Sequence, residues 1–528
     1  MSAPETTIHI CSGVKLNSRY EHSIHFANAV EQEQYFAGKV VKTFPHYSFV
    51  RRHWDLKVDA TMQNALQWNY LYFRNPNSSK VWYYFINGIE YVNDSTVKLS
   101  LELDVIQTYL FDIVLLPSFI ERQHTETDVI GEHTVDEGLE LGELVNKGVY
   151  NYNQLNELGI LVLSTIDPMT GSDIRGMVID DVYSGLGLFF VPPHAFTDWV
   201  DTLAGMESDG TIDAIVNMWM YPAALVKPAA GHDEAEPCFP VAGVETYSLT
   251  VSKDYAGLAG DNGQLYFPKN NKLYCYPYNF LYVTNNSGGS ATYMLERFKT
   301  DLCGFSVNGA LSADGVIKLV PEYYKNAASN YDEGLTLGGY PTCAWDADMY
   351  KIWLAQNQNT QALGMATNKI QVAGGAIAGV ASLFMGNLAG AAGGAITAIS
   401  GASQIANTLA QRKDMDVAPP QARGQHSANV NIVNSKQCFS FYWKCVAPEY
   451  AKIIDDYFTM YGYRLNRVQQ PNIAARPAYT YVKTIGCHIL AYLNNEDTVK
   501  IENIFDSGIT FWKNGDRIGD YSQDNMPE

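Results

Sequence analysis

Clustered positive charge is what this 528-residue sequence lacks most plainly: no Lys/Arg run exceeds the pairs Arg51-Arg52 and Arg412-Lys413. With 36 Lys+Arg against 56 Asp+Glu, the formal charge is -20 and the isoelectric point is near 4.9. Gripping a phosphate backbone by counterion release needs clustered Lys and Arg, so sequence-independent nucleic-acid binding is excluded as a main role. Cysteine is sparse, with 8 residues and no CxxC pair. The start, Met1-Ser-Ala-Pro-Glu-Thr-Thr-Ile-His-Ile10, lacks the basic and apolar regions of a signal peptide. Reduced, mostly buried thiols made in a cytoplasm are the expectation.

Catalytic and metal signatures are missing too. The 11 histidines include no HExxH or comparable ligand spacing. The nearest arrangements, Gly131-Glu-His133 and Cys487-His488, read as structural histidines. No nucleophile elbow and no Walker A run occurs. The carboxylate pairs Asp136-Glu137 and Asp180-Asp181 could serve a glycosidase, but among 56 acidic residues they read as solvated loops. No cofactor and no catalysis are expected.

What is present favours strands. The chain is 47% hydrophobic with 35 Tyr and 22 Phe, an aromatic excess suited to pleated surfaces. Its length predicts three or four domains. In the run from Thr96 to Val105, Val97, Leu99, Leu101, Leu103 and Val105 alternate with polar residues, a period of two that predicts a half-buried strand. It follows Val81-Trp-Tyr-Tyr-Phe-Ile-Asn-Gly-Ile-Glu-Tyr91 across the turn Val92-Asn-Asp-Ser95, so a long antiparallel hairpin is expected. Asn87-Gly88 inside the first strand predicts a bulge, because strand-like sequence continues beyond it.

Residues 126–345 read as one or two inserted α+β domains. A helix is expected after Pro192-Pro193 and another over 211–220. Beyond residue 425, strands are expected at 429–433, 438–445, 479–482 and 486–490, with a helix over 448–461.

Between Lys369 and Arg412 no residue is charged. A membrane core takes about 20 helical residues, so residues 370–411 could pass twice, turning near Gly386-Asn387. In the first arm Ile370, Val372, Ile377, Val380, Leu383 and Phe384 together favour insertion by roughly 2–4 kcal/mol, and the Gly, Ser, Asn and Gln residues cancel much of it. Met385, Leu388, Ile396 and Ile399 extend the apolar set. Gly375 and Gly379, then Gly386, Gly390 and Gly394, give four-residue spacings that let helices approach closely in lipid. Such a segment inserts poorly alone and packs well with copies of itself. A buried Ala/Gly hairpin or a surface loop is the competing reading.

Several blocks recur together in one order. They are Phe85-Ile-Asn-Gly-Ile-Glu-Tyr91, Leu101-Glu-Leu-Asp-Val-Ile-Gln-Thr-Tyr109, Ser118-Phe-Ile-Glu-Arg-Gln-His124, Thr134-Val-Asp-Glu-Gly-Leu139 and Ile215-Val-Asn-Met218. Tyr461-Gly-Tyr-Arg-Leu-Asn-Arg-Val468, Gln470-Pro-Asn472 and Ile504-Phe-Asp-Ser-Gly-Ile-Thr510 follow the charge-free run. In this order the chain resembles the tail-knob (distal tail tube) proteins of small short-tailed phages of the φ29 type, the picovirus type. The resemblance implies a mainly β fold with α+β insertions. β-barrel tube domains from the N- and C-terminal parts would form a ring, and an Ala/Gly-rich hydrophobic loop or helical hairpin would sit between them.

The corresponding borders are 1–125 for an N-terminal tube domain and 126–345 for the inserted domains. The membrane-active loop with its flanks takes 346–425, and a C-terminal tube domain takes 426–528. The resemblance further implies a homo-hexamer in the distal tail of the virion, made in the host bacterial cytoplasm. A lower collar or tail tube lies above it and a tip protein below. Residues 370–411 would plug the lumen and then enter the host cell membrane as a pore. Viral DNA would pass an acidic wall without specific binding. A receptor-binding or cell-wall-degrading tip protein is the alternative.

Overall fold

The computed structural model describes residues 6–47, 53–74, 80–172, 174, 178–179, 182–183, 185–209, 211–260, 265–286, 288–312, 316–337, 342–343 and 438–527. They fall into two compact units. The first takes Met1–Val145, Tyr255–Asn279 and Cys445–Glu528, and the second takes Asn146–Asp254 and Phe280–Lys444. The fold is mainly β, with a half-barrel sheet.

In the first unit that sheet has six strands, in the order Val40–Tyr47, Thr6–Ser12, Trp68–Arg74, Val81–Asn93, Thr96–Leu103 and His53–Asp59. The hairpin is present. Asn93 pairs with Thr96, leaving Asp94-Ser95 as the turn, and the register slips between Ile86 and Gly88, so Asn87 is the bulged residue. Along Thr96–Leu103 burial alternates strictly, with Val97, Leu99, Leu101 and Leu103 inside. At about 1.5–3 kcal/mol each, these four side chains hold the strand by roughly 6–12 kcal/mol of burial.

The strand ends earlier than the alternation suggests. Asp104 accepts from the Gln107 amide at 3.0 Å and so caps a short helix, Val105–Tyr109. Tyr70 donates to the same carboxylate at 2.8 Å, and burial pushes the Asp104 carboxyl up to about 6. The helix Ala29–Ala37 also interrupts the strands of this region. Its signal is local: Asn28 accepts from the Glu31 amide at 3.0 Å and Glu31 accepts from the Ala27 amide at 3.2 Å.

A five-stranded sheet joins the two ends of the chain. Its order is His22–Ile24, Ile509–Trp512, Tyr479–Ile485, Ser118–Gln123 and Tyr463–Gln469. Its rings and those of the half-barrel belong to one apolar core, which includes Tyr70, Tyr83, Tyr479, Phe505 and Trp512. The helix Pro448–Tyr461 runs over the span expected from its proline start and turns Ala451, Ile454 and Phe458 inward.

The second unit carries a six-stranded sheet that includes Gly187–Val191, Leu158–Ser164, Ile215–Pro222 and Thr342–Cys343 as successive neighbours. The helix Phe196–Asp209 follows Pro192-Pro193 as expected and buries Trp199 fully. The helix expected over 211–220 is a correction. Only Thr211–Ala214 is helical, as a 3-10 turn, and Ile215–Pro222 is a strand paired on both sides. Ile215, Met218, Trp219, Met220 and Tyr221 are all buried. A run this apolar fits a central strand, whose two faces are covered, better than an amphipathic helix. A five-stranded sheet of this unit contains Tyr247–Ser252, Leu302–Asn308 and Ile317–Tyr324, and a four-stranded sheet contains Phe439–Val446.

Candidate functional site

The proposed membrane-active residues Val372, Ile377, Val380, Leu383, Phe384, Met385, Leu388, Ile396 and Ile399 lie outside the described residues. So do the proposed packing glycines Gly375, Gly379, Gly386, Gly390 and Gly394, and the expected strand 429–433. Among the described residues no helix is long and apolar enough to cross a membrane. No group of three or more His, Cys, Asp or Glu side chains there could hold a metal ion.

The two roots of this stretch are described, and both belong to the second unit. On the way out, Thr342–Cys343 pairs with Trp219 and Met218 of the central strand. On return, the Asn286 amide donates to the Cys438 carbonyl and to the Ser440 hydroxyl, each at 3.0 Å. Ser440 in turn donates to Asn151 at 2.7 Å. Phe441 then meets Phe305 edge-on, with ring centres 5.4 Å apart. Asn286 sits at φ 55°, a left-handed conformation that Asn tolerates through local hydrogen bonding. The return root is therefore fixed by directed hydrogen bonds within its first four residues.

The first unit holds a different feature that the sequence reading missed. Glu137, expected in a solvated loop, has a fully buried side chain. It accepts from Arg122, from Lys272 and, at 2.9 Å, from the Arg464 amide. These partners come from the strand Ser118–Gln123 of the five-stranded sheet, the segment Tyr255–Asn279 and the edge strand Tyr463–Gln469. Burial pulls the Lys272 ammonium down while Glu137 pushes it back up. Nearby, Asp128 accepts from the Tyr463 hydroxyl at 2.7 Å and the Asn271 amide at 2.9 Å. Asp455 accepts from the Tyr266 hydroxyl at 2.7 Å and from the Lys269 and Asn270 amides at 2.8 and 3.0 Å.

His124 completes this knot. The Tyr481 amide donates to its Nδ1 at 2.8 Å, so Nδ1 carries no proton and Nε2–H donates to the Thr459 carbonyl at 3.1 Å. Burial, with the Arg476 charge second, holds the imidazole down to about 3. His133, expected to be structural, is buried against the Thr127 carbonyl at 3.1 Å and tilts over Tyr463. The sequence trace of the knot is the blocks 118–124, 134–139 and 461–468, which marked the segments but not which residues of them pair. Apart from the Arg122–Glu137 and His133–Thr127 contacts, these residues come together through contacts across more than a hundred positions, and they tie chain segments rather than frame a cleft.

The frame of the first unit is thus a half-barrel sheet from the N-terminal hundred residues and a five-stranded sheet shared between the two ends of an acidic chain. Residues 4–114 match the caudoviral major tail protein N-terminus, and together with the matches that follow this defines a structural protein of a phage tail. Residues 242–526 match the C-terminal domain of tail knob protein gp9 of Bacillus phage phi29, and the chain belongs to that family. It is 27% identical to the tail knob protein gp9 of Bacillus phage B103, over 98% of each chain. Identity to the same protein of phage phi29 is 25%, again over 98% of each chain. The fold is also that of the tail knob protein gp12 of bacteriophage C1, with a TM-score of 0.62 and 14% identity, over 98% of this chain and 99% of that one.

Proposed function

We propose that the chain assembles as a homo-hexameric distal tail tube through which viral DNA leaves, and that residues 370–411 plug the lumen and then enter the host cell membrane as a pore. The single observation that carries this reading is the charge-free run itself, which lies inside a chain similar end to end to tail knob proteins. In such a ring each subunit would contact the next head to tail, the tail tube or lower collar above and the tip protein below. Six weak hairpins at one place make association effectively intramolecular, which offsets the poor insertion of each. A net charge of -20 per copy suits a wall that DNA slides past without sticking. The chain needs no catalytic group or cofactor for this work, and production in the host cytoplasm fits its unpaired cysteine spacing.

Dye release from liposomes tests the membrane step. The full-length protein is expected to cause leakage and the protein lacking residues 370–411 is expected to cause none. Equal leakage from both would sink the role of the segment.

A further inference from the structure

Both legs of the chain that carries the charge-free run are tied to one turn of the second unit. That turn, 285–289, joins two antiparallel strands in which Thr284 pairs with Ser290 and Val283 with Ala291. It is closed from within. The Asn285 amide donates to the Gly289 carbonyl at 3.0 Å, and the Gly289 amide donates to the Asn285 side-chain oxygen at 2.8 Å. A Cβ at Gly289 would fall 2.5 Å from the Asn285 side-chain nitrogen, so glycine is what lets that side chain lie across the turn. From there Asn285 donates through Nδ2 to the Thr336 carbonyl at 2.8 Å, in the strand Leu335–Leu337 that precedes the outgoing root. Asn286, the next residue, donates through Nδ2 to the Cys438 carbonyl and the Ser440 hydroxyl of the return root. Neighbouring asparagines thus hold the chain on either side of residues 344–437.

Each leg is seated in the same part of the unit. Leu335 and Leu337 are buried, and Thr336 stands opposite Lys318 of the strand Ile317–Tyr324. Cys438, Phe439 and Ser440 are buried as well. Phe305, which meets Phe441 of the return leg, stands opposite Pro321 of that same strand. An asparagine side chain is short and its hydrogen bonds are directional, so two carbonyls bonded to adjacent residues are kept side by side. If either leg withdraws, an amide loses its acceptor and the turn that carries the other amide loses its support. The sequence is arranged about the same point. Residues 344–369 before the charge-free run number 26, and residues 412–437 after it number 26. Equal flanks from a common base give the two ends of the run the same reach, as a hairpin entering a bilayer from one side requires.

We propose that turn 285–289 is a clasp that ties both legs into one unit, so that neither loosens without the other, and that it sets how readily residues 370–411 act on a membrane. This rests on the membrane role proposed above and names the device that restrains it. Asn285 and Asn286 are positioning residues, one for each leg.

Hydrogen exchange of the full-length protein, read peptide by peptide, tests it with Asn285→Ala and Asn286→Ala. Independent anchors would each loosen their own leg, whereas a clasp loosens both. In either variant exchange should rise about ten-fold, the effect of one lost hydrogen bond, over Leu335–Leu337 and over 438–441 together. It should stay unchanged over Leu158–Ser164. A rise confined to the leg whose bond was removed would overturn the clasp. Asn286→Gly keeps the left-handed backbone at φ 55° and serves should Asn286→Ala fail to fold, with the same rise in both legs expected. The variants should also release dye from liposomes about ten-fold faster than the wild type, because the population with loosened legs grows equally. A wild-type rate with both legs loosened would overturn the restraint. No leakage from the wild type would overturn the pore reading instead, and exchange would then decide the clasp by itself.

Discussion

The two units solve the burial problem in opposite ways. Among the described residues every buried Asp, Glu, Lys, Arg or His lies in the first unit: Asp104, Arg122, His124, Asp128, His133, Glu137, Lys272, Asp455, Arg476 and Asp497. The buried polar residues of the second unit are neutral: Ser164, Asn285, Ser306 and Ser440. The covalent organisation differs in parallel. The first unit gathers three chain stretches separated by more than a hundred residues, whereas the Leu158–Ser164, Gly187–Val191 and Ile215–Pro222 strands of the second unit are close in sequence. Neighbouring strands find their register from apolar pattern and short connections. Distant stretches need directional ties, and buried ions are more useful for such specificity than for net stability.

The largest effect expected from this contrast is at Glu137. Glu137→Gln keeps an acceptor for the Arg464 amide but leaves Arg122 and Lys272 buried without their countercharge, so the first unit should lose roughly 3–5 kcal/mol. Hydrogen exchange read peptide by peptide checks it. Protection should fall over Ser118–Gln123 and Tyr463–Gln469 and stay unchanged over Leu158–Ser164. A uniform loss would break the comparison.

Acid provides the next test. His124 is held near 3 in the folded chain and lies at its ordinary 6.5 when unfolded, so the unfolded chain takes the proton first. Stability should therefore fall as the pH drops from 6.5 towards 3, by up to about 1.4 kcal/mol per pH unit for one such group. His9, His22, His25 and His133, all lowered mainly by burial, act with the same sign. Asp104 acts against it, because a carboxyl raised to about 6 keeps its proton in the fold and adds stability as the pH falls from 6 to 3.8. His124→Gln can mimic the neutral imidazole, accepting from Tyr481 and donating to Thr459, and should flatten the pH dependence of exchange in the first unit. An unchanged slope would assign the acid sensitivity elsewhere.

The smallest of the three effects concerns backbone. Gly462 ends the helix Pro448–Tyr461 at φ 64° and ψ -154°, a conformation open almost only to glycine, and a Cβ there would run into the Gln123 carbonyl. Its own carbonyl accepts from Arg122 at 2.7 Å. Gly462→Ala should cost about 1–3 kcal/mol, read as a lower denaturant midpoint for the first unit.

Legibility in the sequence followed the range of the interactions. The hairpin with its bulge at Asn87 and turn at Asp94-Ser95 was readable because alternation and turn chemistry are local. The helices starting at Pro448 and after Pro192-Pro193 were readable from their proline starts. The strand Ile215–Pro222 was misread as a helix, because a run buried on both faces has no period to declare itself. Glu137 was misread as solvated for a related reason: its two cations stand 15 and 135 positions away, beyond the reach of any local pattern.

By itself the sequence determined membership of a family, the β-rich class, the local hairpins and caps, and a charge-free stretch over 370–411 whose composition alone sets it apart. Only the tertiary structure decided which carboxylates are buried, which histidine nitrogen is bare, that the two ends of the chain share one sheet, and which apolar residues remain exposed. The division has one physical cause. Periodicity, capping and turn chemistry act over a few residues and are written in order along the chain. Desolvation and ion pairing depend on which distant segment is folded against each group.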